Sequence, residues 1–422
     1  MSRLEPTNEA SAMQKEISAI AEQGGGTTKV EQLIQQYCPD GVEYVKIGQI
    51  AQVGTGSSNG NEAEDEGVYP FFVRSQSIKR KNDYEYDEEA IIIPGEGGIG
   101  EIFHYINGKY ALHQRVYRIH FFVQSVNVKF AYYYMRSFFK QFIMKKAVSA
   151  TVVSIRKPMI EDFVIRVPPL PVQEEIVRIL DNFAELQAEL QAELQKRIQQ
   201  YEYYRDKLLS FSDLSNRGGQ EVSVEWKKLE EIATGWYRGA GIKRDEVCEE
   251  GIPCIRYGEI HTTYNIWFDE CVSHTDESKQ PNKKYANKGD ILFAITSEDI
   301  PFIGNSVAYI GENKIMVGGD IVVMKHNQNP KYLSYALSTT DAVLQKGKGK
   351  VKSKVVHTNV PSLKEIVVPI PSLEEQERIA TILDKFYALT NDITAGLPTE
   401  IEARRKQYEY YRDQLLTFKQ KA

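Results

Sequence analysis

One stretch of this 422-residue sequence has the spacing of a nucleotide-binding turn. Gly95-Glu96-Gly97-Gly98-Ile99-Gly100 follows an apolar run and fits G-x-G-x-x-G. A dinucleotide site also needs a helix next and an acidic residue about 20 positions further on. Here Phe103–Lys109 is turn-like, and no acid lies between Ile102 and Ile160. We therefore expect a glycine-rich turn rather than a nucleotide site.

Other patterns have the order of catalytic motifs in enzymes that act on DNA. Asn329-Pro330-Lys331-Tyr332 is similar to the N-P-P-Y motif of adenine methyltransferases, which also need a cofactor-binding glycine motif that we do not find. Asp290 with Glu312 and Lys314 has the D…E-x-K order of a metal nuclease, but the equivalent Asn107-Gly108-Lys109 lacks the acid. An embedded nuclease or methyltransferase site stays open as an alternative. Activity of the purified chain with metal or cofactor would reveal it.

The cysteines do not have the spacing of a metal site. Cys248, Cys254, His261 and Cys271 include no C-x-x-C pair, so we expect no bound metal. Few cysteines for this length suit a reduced cytoplasm. The N-terminus is polar rather than signal-like, and no run of 18 or more apolar residues is present, so we expect a cytoplasmic protein.

The charge is unevenly distributed, although the net charge is −6. From Ile102 to Ile160 there is no acidic residue and there are ten basic ones. A second acid-free stretch, Ala342–Lys364, is rich in lysine. The local field rather than the net charge decides where a phosphate backbone binds. The alternative for either stretch is a solvated, lysine-rich loop.

The sequence is an internal duplication. Gln200–Phe211 (QYEYYRDKLLSF) and Gln407–Phe418 (QYEYYRDQLLTF) are identical at ten of twelve positions. Upstream, Gln173–Phe183 (QEEIVRILDNF) matches Gln376–Phe386 (QERIATILDKF) at a constant offset of 203. The protein therefore contains two copies of one unit, each a variable globular part followed by a well-matched arm.

The arms are predicted to be helical. Apolar residues from Ile176 to Leu208 recur at spacings of three and four, apart from one longer step at the end, and Pro171 suits a first helical turn. A helix over about Val172–Phe211 would be ~60 Å long at ~1.5 Å per residue, which favours a coiled coil between the arms. The second arm starts with a capping-box sequence at Ser372 and is predicted to break at Gly396-Leu397-Pro398.

A tetrad repeat occupies the middle of the first arm. Ala184–Gln195 contains three copies of A-E-L-Q. Each copy adds ~6 Å of helix, so the repeat could set a length. The alternative is that the repeat is simply good helix-forming sequence.

The globular parts are predicted to be mixed α and β. Strands are expected at Tyr69–Val73, Ala90–Ile93, Ile291–Ile295 and Ile321–Met324. Helices are expected at Phe130–Met144 and Lys331–Val343. Residues 1–28 end in Gly24-Gly25-Gly26 and are interpreted as a short helix and a linker.

The duplicated plan, the ILD-x-F and QYEYYRD-x-LL elements and the proline-flanked arm entries together resemble the specificity subunits of type I restriction–modification systems. The resemblance covers roughly residues 29–422 and is strongest in the arms. It implies two target recognition domains, each reading half of a bipartite double-stranded DNA site. It also implies a pseudo-two-fold arrangement in which the long helices pair as an antiparallel coiled coil.

The same resemblance gives domain limits and partners. We expect an N-terminal extension (1–28), recognition domain 1 (29–170), arm 1 (171–215), recognition domain 2 (216–371) and arm 2 (372–422). The partners implied are two methyltransferase subunits and, optionally, two restriction subunits, in a bacterial or archaeal cell. S-adenosylmethionine, and ATP with Mg²⁺ for restriction, would bind to those partners. This chain itself is expected to be non-catalytic.

Candidate contact residues follow from residue type. Arg and Gln can contact base edges in bidentate fashion, whereas Lys mainly neutralises phosphate. The DNA-binding candidates are Arg74, Gln76, Lys79, Arg80, Lys81, Gln114, Arg115, Lys145, Lys146, Arg156, Lys157, Arg256, Tyr257, Lys346, Lys348, Lys350, Lys352 and Lys354. The partner-binding candidates in the arms are Leu180, Phe183, Leu190, Leu194, Tyr201, Tyr204, Leu383, Phe386, Tyr408 and Tyr411. A pure coiled-coil scaffold is the remaining alternative, and it predicts no salt-sensitive DNA binding.

Overall fold

The computed structural model describes residues 26–146, 154–212, 223–348, 356–391 and 397–421. The chain divides into two compact units. The first contains residues 1–190 and 401–422, and the second contains residues 191–400. Each unit therefore includes a globular part together with a portion of each arm, whereas the sequence-based limits separated the globular parts from the arms. The fold is α+β, as predicted.

The first unit is built on a mixed sheet with the strand order β2-β7-β5-β6-β3-β4. Its elements are α1 (Gly26–Tyr37), β1 (Glu43–Lys46), α2 (Ile47–Ile50), β2 (Ala51–Thr55), β3 (Tyr69–Phe72), β4 (Lys79–Lys81), β5 (Tyr86–Pro94), β6 (His104–Leu112), β7 (Val116–Phe121), α3 (Val128–Lys146), α4 (Lys157–Glu161) and β8 (Val164–Val167). The apolar run Ile91–Ile93 lies in the centre of the sheet and is fully buried. Phe130 and Phe139 of α3 are buried in the same unit.

The second unit contains two sheets, with the orders β10-β20-β16-β18-β13 and β11-β14-β12-β19-β15. Its strands are β9 (Glu225–Lys228), β10 (Ala233–Arg238), β11 (Val247–Cys248), β12 (Ile252–Ile255), β13 (Trp267–Phe268), β14 (Ser273–Thr275), β15 (Tyr285–Ala286), β16 (Ile291–Ala294), β17 (Thr296–Ser297), β18 (Ser306–Tyr309), β19 (Ile315–Val317), β20 (Ile321–His326), β21 (Val356–His357) and β22 (Val367–Ile370). Its helices outside the arms are α6 (Leu229–Ile232), α7 (Tyr257–Thr262), α8 (Pro330–Leu337), α9 (Thr340–Gly347) and α10 (Val360–Lys364).

The arms are helical. The first arm is the continuous helix α5 (Leu170–Leu209), with Pro171 in its first turn. The second arm comprises α11 (Leu373–Asn391) and α12 (Leu397–Leu415), with residues 392–396 outside the described part. The hydroxyl of Ser372 accepts a hydrogen bond from the backbone N–H of Glu375 at 3.3 Å, as a capping residue does.

The predicted strands and the helix over Phe130–Met144 are present, and two other predictions are wrong. Phe103–Lys109 lies mostly in strand β6 rather than in a turn. The stretch Lys331–Val343 is not one helix, because Thr339 starts a new helix by accepting a hydrogen bond from the N–H of Ala342. A side-chain cap of this kind satisfies a backbone donor that the end of a helix leaves unpaired.

The end of the N-terminal linker is also corrected. Helix α1 begins at Gly26, so the last glycine of Gly24-Gly25-Gly26 is helical. Residues 1–25 lie outside the described part of the chain. Among the residues that the structure describes, no helix is long and apolar enough to cross a membrane.

The duplication is visible where each globular part begins and ends. In the first unit β1 pairs antiparallel with β8, and in the second unit β9 pairs antiparallel with β22. An exposed ion pair joins the end of the first strand to the residues before the second strand in each pair: Lys46 with Asp162 at 2.9 Å, and Lys228 with Glu365 at 2.6 Å. Equivalent sequences therefore form equivalent local structure in the two units.

A second duplicated set of contacts joins each globular part to its arm. The side chain of Gln173, buried on α5, accepts from the N–H of Asn127 at 2.8 Å and donates to the carbonyl of Pro168. The equivalent Gln376 accepts from the N–H of Asn329 at 2.9 Å and donates to the carbonyl of Pro371. Satisfied buried amides of this kind fix the orientation of the elements that they join.

An aspartate completes this arm junction in each unit. Asp181 on α5 accepts hydrogen bonds from Lys129 Nζ and Tyr133 Oη, each at 2.7 Å. Its counterpart Asp384 accepts from the same two residue types, since Lys331 Nζ and Tyr335 Oη donate to it at 2.7 Å, and it also accepts from the indole N–H of Trp267 at 3.1 Å. The carboxylates raise the pKa of both tyrosines, as does their burial, which is the larger cause. The arm junction thus consists of the same residue types at the same places in both units.

Candidate functional site

A cleft of about 410 Å³ opens in the first unit beside the end of β3. It is lined by Gly60, Val73, Arg74, Ser75, Lys79, Glu96, Gly97 and His113. We call it cleft 1. Arg74 is the second residue after strand β3, and Glu96 lies on the glycine-rich turn that follows β5. The two side chains are in hydrogen-bond contact.

The glycines of this turn are needed for its backbone. Gly97, Gly98 and Gly100 have φ of 74°, 68° and 69°, a region that side chains other than glycine rarely adopt. A Cβ on Gly97 would also lie 2.9 Å from the carbonyl oxygen of Arg74. The N–H of Gly95 donates to the carbonyl of Arg115 at 2.9 Å, which ties the turn to the sheet. The G-x-G-x-x-G spacing therefore serves a tight turn here.

Two arginines contact the carboxylate of Glu96, which lines cleft 1. Arg74 Nη1 and Arg115 Nη1 each lie 3.0 Å from oxygens of Glu96. Hydrogen bonds from Arg115 and Arg74 hold the pKa of Glu96 below its usual value. Burial, reinforced by the two arginines, lowers the pKa of His113, and its Nδ1 accepts from the N–H of Arg115. The carboxylate of Glu96 at this cleft is therefore held by two guanidinium groups.

Some predicted residues of the first unit are exposed and others are held by the protein. Gln76 and Lys79 are exposed, and Lys79 lines cleft 1. Arg80 donates to the backbone carbonyls of Gly67 and Val68. Its guanidinium is therefore partly used to hold the loop before β3.

The prediction for Lys81 needs a correction. Its side chain is only 14% exposed, and its ammonium contacts Glu62 at 2.6 Å and the hydroxyl of Ser58 at 2.9 Å. This lysine stabilises a loop, and the ion pair leaves it little freedom to reach a phosphate. Gln114 donates to Asn59 at 2.7 Å and remains exposed.

The basic residues that flank residues 147–153 cannot all be placed. Lys145 and Arg156 are exposed. Lys157 is also exposed and forms an ion pair with Glu161 one helical turn away at 3.5 Å. The side chain of Lys146 lies outside the described part of the chain. Contact of these residues with DNA stays a prediction.

The second unit has a larger cleft of about 1000 Å³ in a similar position, at the end of β12. It is lined by Arg238, Gly239, Gly241, Ile242, Arg244, Arg256, Tyr257, Gly258, Glu259, Thr262, Gly318, Gly319 and Asp320. We call it cleft 2. The predicted residues Arg256 and Tyr257 follow β12 directly, and Arg74 is the second residue after β3, so predicted arginines lie near the ends of both strands.

Arginines of cleft 2 are also held by carboxylates. Arg238 Nη2 lies 2.7 Å from Asp320, and its Nε donates to the carbonyl of Gly319. The guanidinium of Arg256 contacts Glu259 at 3.3 Å, and Glu259 is buried. The hydroxyl of Ser273 donates to the same carboxylate at 2.6 Å. Both clefts therefore present guanidinium groups that an acidic side chain positions.

Sequence reasoning missed Arg238, Arg244 and the carboxylates of both clefts. A signal for Arg238 exists, because it ends a strand immediately before Gly239. A Cβ on that glycine would lie 2.1 Å from the carbonyl oxygen of Gly318, so the backbone segments must approach closely. The acids gave no signal, since acidic residues are not expected beside a phosphate backbone.

The prediction that Lys346 contacts phosphate is wrong for this structure. Its side chain is buried, and its ammonium donates to the carbonyl of Leu337 at 2.8 Å and contacts the hydroxyl of Ser306 at 3.3 Å. Burial lowers the pKa of Lys346 to about 7. Lys346 lies in helix α9, and its ammonium satisfies the carbonyl of Leu337, the last residue of α8. Lys348 is exposed, whereas Lys350, Lys352 and Lys354 lie outside the described residues.

In the first unit, part of the apolar stripe of the arms is covered by the chain itself. The ring of Phe183 on α5 lies 5.7 Å from that of Tyr411 and 6.3 Å from that of Tyr408 on α12. Leu180 and Tyr408 are buried in the core of this unit. As partner-binding candidates they therefore need a correction, because an external protein cannot reach them.

The second unit shows the same arrangement between α5 and α11. The rings of Tyr201 and Tyr387 lie 6.2 Å apart, and those of Tyr204 and Phe386 lie 6.1 Å apart. Tyr201 and Leu383 are buried, so they too are corrected from partner contacts to core residues.

Other aromatic residues of the arms remain at the surface. Tyr204 is 44% exposed and Phe386 is 39% exposed. Tyr203 and Tyr410, which were not among the residues selected from the sequence, are 60% and 63% exposed. Leu190 and Leu194 are half-buried. Among the described residues of the arms, these exposed aromatic side chains are the ones that a partner could reach.

The residues that are similar in sequence to nuclease and methyltransferase motifs have structural roles. Asp290 is buried and accepts from the N–H of Asn287, while Glu312 pairs with Lys288 and Lys314 pairs with Glu277. The D…E-x-K residues thus each have a separate partner. Asn329 caps α8 by accepting from the N–H of Tyr332 at 2.9 Å. Among the described residues, no group of three or more Cys, His, Asp or Glu side chains is placed to hold a metal ion.

The chain matches the family described as type I restriction modification DNA specificity domain, and it does so twice, over residues 39–200 and 221–403. The chain belongs to this family. It is 31% identical to a putative type I restriction enzyme specificity subunit of Haemophilus influenzae over 371 residues, which are 83% of this chain and 89% of that protein.

One further relative and one solved structure are also similar to this chain. The chain is 37% identical to the EcoR124I/EcoR124II specificity subunit of Escherichia coli over 257 residues, or 59% of this chain and 60% of that protein. A solved structure titled as the structural basis of complex assembly and conformational transition of the type I restriction–modification system matches with a TM-score of 0.54 at 13% identity. The match covers 90% of this chain and 98% of that one, and it shows a shared fold.

Proposed function

We propose that this chain is the subunit that reads a bipartite double-stranded DNA sequence and directs adenine methylation to it. Each unit would read one half-site. The observation that carries the proposal is the paired occurrence of the DNA specificity domain, residues 39–200 and 221–403, with an arginine-lined cleft in each copy.

The chemistry of the clefts supports base reading as well as phosphate binding. A guanidinium can donate two parallel hydrogen bonds to guanine O6 and N7. Arg74, Arg238 and Arg256 line the clefts, and Arg115 contacts Glu96, which lines cleft 1. Lys79 and Lys348 are exposed ammonium groups suited to phosphate. The net charge of −6 does not oppose this, since the clefts determine the local field.

The partners would be two methyltransferase subunits and, in a restriction complex, two restriction subunits. Exposed aromatic side chains on the arms, Tyr203, Tyr204, Phe386 and Tyr410, offer the kind of surface on which protein interfaces are centred. S-adenosylmethionine, and ATP with Mg²⁺ where DNA is cut, would be bound by those partners. Relatives of this chain are named specificity subunits, which favours recognition over catalysis as its role.

The decisive experiment is methylome sequencing of cells that carry this chain with its methyltransferase partner. The expected result is adenine methylation at one motif with two specified halves and an unspecified gap. Methylation at a continuous motif, or none above the level of cells with the methyltransferase alone, would overturn the proposal. Incubation of the purified chain with DNA and metal, or with S-adenosylmethionine, tests the embedded-enzyme alternative, and we expect neither cleavage nor methyl transfer.

A further inference from the structure

Each cleft contains carboxylates at the place where a DNA-binding surface should be basic. In cleft 1 the carboxylate of Glu96 holds both Arg74 and Arg115, and its side chain remains 33% exposed. A negative charge that faces a phosphate backbone weakens binding to every sequence alike. Half-exposed ion pairs of this kind contribute little to folding, so stability alone gives no strong reason for Glu96 to be there.

Cleft 2 has the same combination built from different elements. Asp320, which is 41% exposed, lies just before β20 and holds Arg238. Glu259, which is 8% exposed, lies on α7 and holds Arg256. Glu96, by contrast, follows β5. The two clefts thus reach an arginine–carboxylate arrangement without using equivalent acidic positions.

Resting on the proposed function, we propose that these acids are specificity-determining residues: Glu96 for one half-site, and Asp320 with Glu259 for the other. The exposed carboxylates of Glu96 and Asp320 contact the bases or hold the guanidinium planes that do so. Glu259 acts through Arg256 as a positioning residue, because its burial keeps it from the DNA.

The physical basis lies in geometry and repulsion. A guanidinium contacts guanine through two hydrogen bonds only if its plane is correctly oriented, and a carboxylate bonded to one edge fixes that plane. A carboxylate can also accept from the cytosine N4 amino group of the same base pair. At an incorrect sequence the acid meets no donor and repels the backbone, so it lowers affinity for incorrect DNA more than for correct DNA.

The test replaces each exposed acid by its neutral isostere in the full complex with the methyltransferase partner. Glu96→Gln should relax the base preference of one half-site and leave the other intact, and Asp320→Asn should do the reverse. The unaffected half-site is an internal control for folding and assembly. At the affected positions the preference for the correct base pair should fall by about tenfold to about a hundredfold, as measured from methylated fractions.

Matched control variants come from exposed ion pairs outside the clefts. Glu101 pairs with Lys140 in the first unit, and Glu312 pairs with Lys288 in the second. Glu101→Gln and Glu312→Gln remove the same charge from the same unit, and we expect both to retain the wild-type motif. Binding of the purified complex to DNA that lacks the motif should be unchanged or tighter for Glu96→Gln, and a weaker binding would contradict the repulsive role.

The positioning role of Glu259 needs a separate readout. Arg256→Lys keeps the charge but loses the planar fork, and Glu259→Gln keeps the side-chain shape but loses the charge that orients it. Both variants should weaken the base preference at the same half-site as Asp320→Asn. If Glu259→Gln fails to fold, Arg256→Lys still tests the assignment.

The outcomes separate this inference from the proposed function. Retention of both half-sites by Glu96→Gln and Asp320→Asn overturns the inference alone, as does an equal loss of methylation at both half-sites, which would indicate a structural role. If the wild-type complex methylates no bipartite motif, the proposed function fails and this inference fails with it.

Discussion

The arm junctions and the clefts are duplicated in different ways. At the junctions Asp181 and Asp384 accept the same pair of donors, a lysine and a tyrosine, at the same distance of 2.7 Å. In the clefts one unit holds two arginines with Glu96, whereas the other uses separate acids for Arg238 and Arg256. The two copies of the duplicated unit therefore share the arm junction and differ in the cleft.

This difference indicates which part of each unit is constrained. A buried network must be satisfied completely, so a change at one member leaves another without a partner. A cleft open to solvent has no such requirement, because water satisfies its polar groups until a ligand arrives. The junction can therefore stay constant while the cleft changes with the DNA sequence to be read.

The most severe test exchanges a whole globular part. Replacing residues 222–370 with the homologous segment of another specificity subunit should change one half-site completely, since the constant ribbon β9–β22 closes both ends of the segment. The methylome of cells with the chimera would show it. The other half-site serves as the control, and a chimera that alters both halves would contradict modular recognition.

Removing a junction aspartate should have the largest effect on stability. Asp384→Ala removes the acceptor of three donors: Tyr335, Lys331 and the indole N–H of Trp267, which donates to this carboxylate at 3.1 Å. We expect the free energy of unfolding to fall by about 3 kcal/mol for Asp384→Ala and by about 2 kcal/mol for Asp181→Ala, which leaves fewer donors without an acceptor. Urea unfolding measures both. Equal losses would show that the extra donor at Asp384 contributes nothing.

The buried lysine of the second unit should make stability depend on pH. Burial lowers the pKa of Lys346 to about 7, from an ordinary value of 10.5, so above about pH 7 the unfolded chain binds the proton that the folded chain has released. Stability of the second unit therefore gains from this group as pH rises to about 10.5, by at most about 1.4 kcal/mol per pH unit.

Lys346→Met tests this effect. Methionine fills similar space without a titratable group, so the variant should lose this part of the pH dependence and gain stability relative to the wild type near about pH 7. Melting temperatures at several pH values between those limits would reveal parallel or diverging curves. If the curves of the wild type and Lys346→Met are parallel, the ammonium stays charged in the folded protein. Lys348→Met, at an exposed position, is the control.

The tetrad repeat predicts a smaller, graded effect on the gap between half-sites. The structure places Ala184–Gln195 entirely within helix α5. Adding or deleting one A-E-L-Q copy changes the helix length by ~6 Å, against ~3.4 Å per base pair of DNA. The gap should change by about one or two base pairs while both half-site sequences stay fixed. An unchanged gap in the methylome would show that the repeat sets no distance.

The smallest effect should come from replacing lysines that are expected to neutralise phosphate. Replacing Lys350, Lys352 and Lys354 with Gln should weaken binding to all sequences alike and flatten the salt dependence by roughly one unit of slope for each phosphate that is no longer neutralised. Lys346 is left out because it is buried. Salt titrations of DNA binding provide the measurement, and an unchanged slope would place these lysines away from DNA.

Local sequence predicted much of the fold but not how polar side chains are used. The helix α5 follows from a long apolar periodicity, and β5 and β16 follow from buried apolar runs. The break between α8 and α9 was missed because the Thr339 cap competes with an otherwise helical pattern. Strand β6 was missed because Asn107-Gly108 within it is typical of a turn.

The sequence by itself determined the duplication, the helical arms and the family, because these depend on identity and periodicity along the chain. Only the tertiary structure decided which charges are available. Lys346 and Lys81 belong to lysine-rich stretches, yet one is buried and the other is held by Glu62. Glu96 and Arg115 are distant in sequence and meet only because β5 and β7 are neighbours in the sheet. Pairing between distant segments sets the environment of a charge, and local composition does not record it.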